Sequence, residues 1–272
     1  MSILAQRFAE LRAEKCCGFI SFIVAGDPNL STTADLLAGL SELRPVAIEL
    51  GIPFSDPTAD GPVIQRAAQR ALRSRTTLPK VLALLHRMRR RELAPIVLFS
   101  YFNPLLQYGL ARLAREASRC NVAGVLAVDL PADASAPLRR ELCRTGIDLI
   151  QLVAPTTSDA RLAQITKSAS GFIYVVSRTG VTGTARELED ESRQIVARVR
   201  AVTELPVAVG FGITSAEQAR RVCQYADAAV VGSRLVAEIE KISAAVRPKR
   251  CSAAAVVRLA RNFAVTDGAK LP

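Results

Sequence analysis

The chain has 272 residues, half of them apolar, and a formal net charge of +11. That is enough apolar material for a substantial core, yet no apolar run approaches the ~20 residues that span a bilayer, which excludes a membrane-spanning helix. The positive charge does not mark a nucleic-acid partner: Arg87, Arg89, Arg90 and Arg91, like Arg139, Arg140 and Arg144, fall at intervals suited to solvated helix faces, with few aromatics beside them for base stacking.

Leu4, Phe8 and Leu11 recur at helical spacing, so residues 2–14 are predicted to form an amphipathic helix. No charged-then-apolar leader precedes it, and a cytoplasmic location is expected. An apolar run over 18–25 is closed by Gly26-Asp27-Pro28, and a helical pattern follows over about 31–43. The order strand, turn, helix then repeats through apolar runs at 46–50, 95–100, 122–128, 147–153, 171–176, 206–210 and 226–232. Eight short runs rich in Val and Ile, most of them separated by helical stretches, predict parallel strands covered by helices. A closed (β/α)8 TIM barrel is therefore expected, in preference to an open doubly wound sheet, with 1–272 forming one α/β domain. Extra helices are expected at the N-terminus, after strand 2 (62–91, broken around 74–77) and after strand 8 (234–264, broken near 247–249), with 248–272 as C-terminal helix and tail. The six cysteines, Cys16, Cys17, Cys120, Cys143, Cys223 and Cys251, show no CxxC spacing. Reduced, mostly buried thiols are predicted, with neither disulfides nor a metal.

In such a barrel the site is built at the carboxyl ends of the strands. Glu49 lies in the apolar run of strand 2, where a carboxylate buried on both sides must be paired, neutral, or present for chemistry. Asp60 follows on the next loop, as a turn aspartate or as a second carboxylate of the site. His86 is the only histidine and sits in a helix beside Arg87, so acid–base work falls to carboxylates, helped by Tyr174 or Tyr101. Burial would raise the pKa of Glu49 toward neutrality, which suits a group that gives and takes protons. Strands 7 and 8 end in Gly210-Phe211-Gly212-Ile213 and Gly232-Ser233, each directly before a helix. Two glycine-bearing ends of this kind at consecutive strands predict a phosphate monoester substrate. After strand 6, residues 177–184 are polar and glycine-rich, as a closing loop or an ordinary connection would be.

The stretch Glu49-Leu50-Gly51-Ile52-Pro53-Phe54-Ser55-Asp56-Pro57, followed by Ala59-Asp60-Gly61-Pro62, closely resembles the signature of tryptophan synthase α subunits. Gly26-Asp27-Pro28, Tyr101 with Asn103-Pro104, Asp129-Leu130-Pro131, Ala154-Pro155-Thr156, Tyr174 through Gly183 and Gly210-Phe211-Gly212-Ile213 resemble that family's segments in the same order, over roughly residues 1–245. Thr58 departs from the signature, which usually has an aliphatic residue there, and bears on the packing of the loop and on contact with a partner rather than on the chemistry.

The resemblance implies retro-aldol cleavage of indole-3-glycerol phosphate to indole and glyceraldehyde 3-phosphate. Glu49 would transfer protons, Asp60 would hold the indole N–H, and Tyr174 would assist Glu49. Phe22, Leu126 and Phe211 would wall the indole, Gly183, Gly212, Ile213, Gly232 and Ser233 would take the phosphate, and Thr182 would reach Asp60 on loop closure. The resemblance also implies a β subunit as partner in an αββα assembly, faced by Asp56, Pro57, Asn103 and Pro104, with pyridoxal phosphate in that partner and no cofactor in this chain. A stand-alone lyase releasing free indole would share these residues. A subunit that only activates its partner would have no chemical need for both Glu49 and Asp60.

Overall fold

A computed structural model of the chain describes residues 1–176, 185–210, 212–245 and 253–264. Its first strand, β1 (Gly18–Val24), is buried along its whole length, as a mostly apolar strand between a barrel interior and a helix layer must be. Seven more follow: β2 (Ala47–Gly51), β3 (Ile96–Ser100), β4 (Val122–Ala127), β5 (Asp148–Val153), β6 (Ile173–Val176), β7 (Val207–Gly210) and β8 (Ala228–Val231). Every adjacent pair is parallel, and β8 returns to β1 in the register Gly18↔Ala228 to Ser21↔Val231, which closes the barrel as predicted.

The helices are α1 (Ile3–Ala13), α2 (Leu30–Ser41), α3 (Pro62–Arg73), α4 (Leu78–Met88), α5 (Phe102–Tyr108), α6 (Leu110–Ser118), α7 (Ala136–Cys143), α8 (Asp159–Ser168), α9 (Ala185–Arg200), α10 (Ala216–Val222), α11 (Ser233–Ala245) and α12 (Ala253–Arg261). The extra helices predicted at the N-terminus, after β2 and after β8 are present. Helix α1 opens on Ser2, whose side chain accepts from the Ala5 N–H. It lays Leu4 and Phe8 into the same apolar cluster as Ile20, Ala47, Ile150 and Phe172, with the Phe8 and Phe172 rings 5.7 Å apart, and so stoppers the amino-terminal end of the barrel. None of the described helices is long and apolar enough to cross a membrane.

Two features depart from expectation. The chain after β3 forms the helix pair α5 and α6, broken at Gly109 with φ +91°, so Asn103 and Pro104 lie in a helical first turn. The cysteines are not all thiols: Cys17, next to the start of β1, is bonded to Cys223, which caps α10 before β8, with their Cα atoms 5.5 Å apart. Sequence spacing carried no sign of this pair because its members are 206 residues apart and only closure of the barrel makes β1 and β8 neighbours. Cys16, Cys120 and Cys143 are free, and Cys251 lies outside the described residues.

Candidate active site

Strand β2 alternates as a strand must: Ala47 packs in the interior cluster and Ile48 in the helix layer, so Glu49 turns inward. It sits in register with Phe22 of β1 and Val97 of β3, is 0 % exposed, and neither carboxyl oxygen has a hydrogen-bond partner among the described residues. Desolvation of the charged form raises its pKa to about 8.

Above it lies a cavity of about 460 Å³ at the carboxyl ends of the strands, lined among others by Phe22, Asp60, Phe99, Tyr174, Ile213 and Ser233. Tyr174 is 4 % exposed, and burial, then the charge of nearby Glu49, pushes its hydroxyl well above the ordinary range. Its position depends on Gly210: a Cβ there would overlap the Tyr174 hydroxyl and come within 2.8 Å of its Cζ. Gly210 therefore makes room for the tyrosine, whereas Gly212, with φ +79° and nothing within 4 Å of a Cβ, is the glycine demanded by backbone conformation.

The loop after β2 is fastened at several points. Tyr101 accepts from the Ala59 N–H at 2.9 Å, beside the Asp60 carboxyl, while Gln65 on α3 donates to the Asp60 carbonyl at 2.9 Å. Asp60 is half-buried, and desolvation, opposed by Tyr101, raises its pKa to about 6. Pro62 then opens α3, whose Arg70 grips the fully buried Asp27 with two bonds of 2.7 and 2.9 Å and reaches Glu240 on α11 at 2.8 Å. The loops after β1 and β2 and the helix after β8 are thereby tied together.

The two glycine-bearing strand ends behave differently. Helix α10 caps itself: Ser215 accepts from the Gln218 N–H, and Gln218 in turn accepts from the N–H groups of Ser215 and Thr214. Helix α11 begins at Ser233 directly on the cavity, so its N-terminus is the better anion end. The predicted residues Phe22, Asp60, Tyr174, Gly212, Ile213, Gly232 and Ser233 come together around this one cavity, with Glu49 buried beneath. Leu126 is fully buried, paired in register with Phe99, and does not line the cavity; Phe99, whose ring meets Phe22 edge-on at 5.1 Å, does. Phe99 was readable in principle, two residues from inward-facing Val97 on the same face of β3. Thr182, Gly183 and Phe211 lie outside the described residues. Asp56 and Asn103 are exposed and Pro57 and Pro104 half-exposed at this end of the barrel. Among the described residues no group of three His, Cys, Asp or Glu could hold a metal ion.

Residues 8–266 match the family model described as tryptophan synthase alpha chain. A tryptophan synthase alpha chain from Geobacter sp. (strain M21) is 45 % identical over 245 residues, 90 % of this chain and 92 % of that one. One from Caulobacter sp. (strain K31) is 48 % identical over 236 residues, 86 % of each chain. The solved tryptophan synthase subunit alpha of Legionella pneumophila str. Paris superposes with a TM-score of 0.87 at 33 % identity, covering 97 % of both chains.

Proposed function

Because the chain belongs to the tryptophan synthase alpha chain family, we propose that Glu49, Asp60 and Tyr174 carry its reaction and that Gly212, Ile213, Gly232 and Ser233 hold the substrate phosphate. The reaction itself is the carbon–carbon cleavage of indole-3-glycerol phosphate to indole and glyceraldehyde 3-phosphate, late in tryptophan biosynthesis. The observation that carries the residue assignment is Glu49: a fully buried carboxyl with no described partner, beneath the cavity, with a pKa raised to about 8.

At neutral pH Glu49 is mostly protonated and starts the reaction as an acid. Its proton goes to indole C3, which places positive charge on the ring nitrogen. Asp60, ionised above its pKa of about 6, holds that N–H and stabilises the charge. The Glu49 carboxylate then takes the proton from the adjacent hydroxyl, the C–C bond breaks, its electron pair returns to the ring, and the hydroxyl carbon becomes the aldehyde. Glu49 is regenerated protonated. Tyr174, kept protonated by its raised pKa, donates toward the carboxylate formed between the two transfers. Phe22 and Phe99 wall the indole, and by family resemblance Phe211, Thr182 and Gly183 complete the enclosure.

A tryptophan synthase β subunit is the family's partner. The αββα assembly, pyridoxal phosphate in the β chain, and an interface through Asp56, Pro57, Asn103 and Pro104 belong to the proposal, as does a cytoplasmic setting; the exposure of Asp56 and Asn103 on the active-site end supports that interface. Indole release is to be measured for the chain alone and with a β subunit. Weak activity that rises strongly with the β subunit, and falls by at least about a hundredfold in Glu49→Gln while the circular dichroism is kept, is expected. Unchanged turnover in Glu49→Gln would refute the assignment of Glu49.

A further inference from the structure

A second cavity, about 370 Å³, opens between the ends of β4 and β5 and helix α8, and shares no lining residue with the first. Gln151 faces it from β5. This side chain is 6 % exposed and lines the cavity, yet its amide makes no hydrogen bond to any described residue. Its amide atoms are not sealed from solvent, so the group is available to bond whatever fills the cavity. Two opposite charges share the lining. Asp129, exposed at the cavity rim, gives one carboxyl oxygen to the Phe102 N–H at 2.6 Å and leaves the other without a described partner, and Arg161 on α8, also exposed, forms no ion pair among the described residues. Ile165 and Val153 add an apolar wall.

We propose that this cavity binds a free α-amino acid, its carboxylate on Arg161, its ammonium on Asp129, its polar head met by Gln151 and its side chain against Val153 and Ile165. A zwitterion matches this lining because an anion alone would face Asp129 and a cation alone would face Arg161. The ammonium draws on the same carboxylate that holds the first residue of α5, so occupancy is felt at the helix that bears Asn103 and Pro104.

The test is calorimetric titration of the full chain with each of the common amino acids, and with the deaminated acid and decarboxylated amine of whichever one binds. Saturable binding by at least one amino acid is expected, weakened at least about tenfold by loss of either charged group, by Gln151→Leu or by Arg161→Ala, because each removes a hydrogen bond or charge pair. Both variants should release indole at the wild-type rate. The proposal is overturned if no amino acid binds below about 10 mM, a threshold weaker than any useful recognition. It is equally overturned if binding is indifferent to both substitutions, or if the deaminated acid binds as well as its parent.

Discussion

A carboxyl group sealed beneath a cavity, with no hydrogen bond among the described residues, makes the stability of the whole chain depend on pH. The folded pKa of Glu49, about 8, stands above the ordinary glutamate value of 4.5, so between these values the folded state binds more protons than the unfolded one. Stability from this group is therefore full below about pH 4.5 and is lost as pH rises to about 8, by on the order of 4–5 kcal/mol if the whole shift is expressed. Glu49→Gln, which has no proton to lose, is expected to unfold at higher urea than the wild type at pH 8 and at nearly the same urea at pH 5. Parallel curves for the two proteins from pH 5 to pH 8 would contradict the burial argument. Glu49 was legible in the sequence because a carboxylate at the end of an apolar strand has few other uses, and Asp60 because it lies on the loop directly after it. Phe99 was harder to see, since an apolar residue in an apolar strand carries no mark of whether it stops in the core or reaches the cavity.

At the level of strands and helices, β6 and β7 are fitted to each other through Tyr174 and Gly210. Gly210→Ala forces a Cβ into the Tyr174 hydroxyl, which is expected to cost about 1–3 kcal/mol of overpacking and to lower kcat more than it changes KM. Because the nearest clash is with the hydroxyl, Gly210→Ala/Tyr174→Phe should recover part of that stability in a double-mutant cycle by urea unfolding. Strictly additive losses would show that the two residues do not share this space. The strand–helix alternation was legible because each strand is a short Val/Ile-rich run bounded by turn residues. The α5–α6 pair was not, because the helices have only seven and nine residues and neither carries a side-chain N-cap. The proposed phosphate end was half legible: both strand ends show glycine before a helix, but only three dimensions reveal that α10 satisfies its own N-terminus through Ser215 and Gln218 while α11 opens on the cavity.

The molecule as a whole is a ring, and its seam is where the sequence is least informative. Closure of β8 on β1 brings Cys17 to Cys223 across a separation of 206 residues, and a bond over so long a loop restricts the unfolded chain by roughly 5 kcal/mol in the chain-entropy model. Reduction with dithiothreitol should lower Tm by on the order of ten degrees, and Cys17→Ser under oxidising conditions should match it. Reduction without a change in Tm would mean that the seam is held by the ladder and the core alone. The active site sits at the opposite end of the strands from this bond, and the ties from Arg70 to Asp27 and Glu240 hold the loops around the cavity. The central claim, that a protonated Glu49 and an ionised Asp60 act together, is tested most directly by the pH dependence of kcat/KM for indole release. Activity should fall as pH drops through about 6, where Asp60 gains a proton, and fall again as pH rises through about 8, where Glu49 loses one. A rate that keeps rising through pH 9, or an alkaline limb that survives in Glu49→Gln, would contradict it.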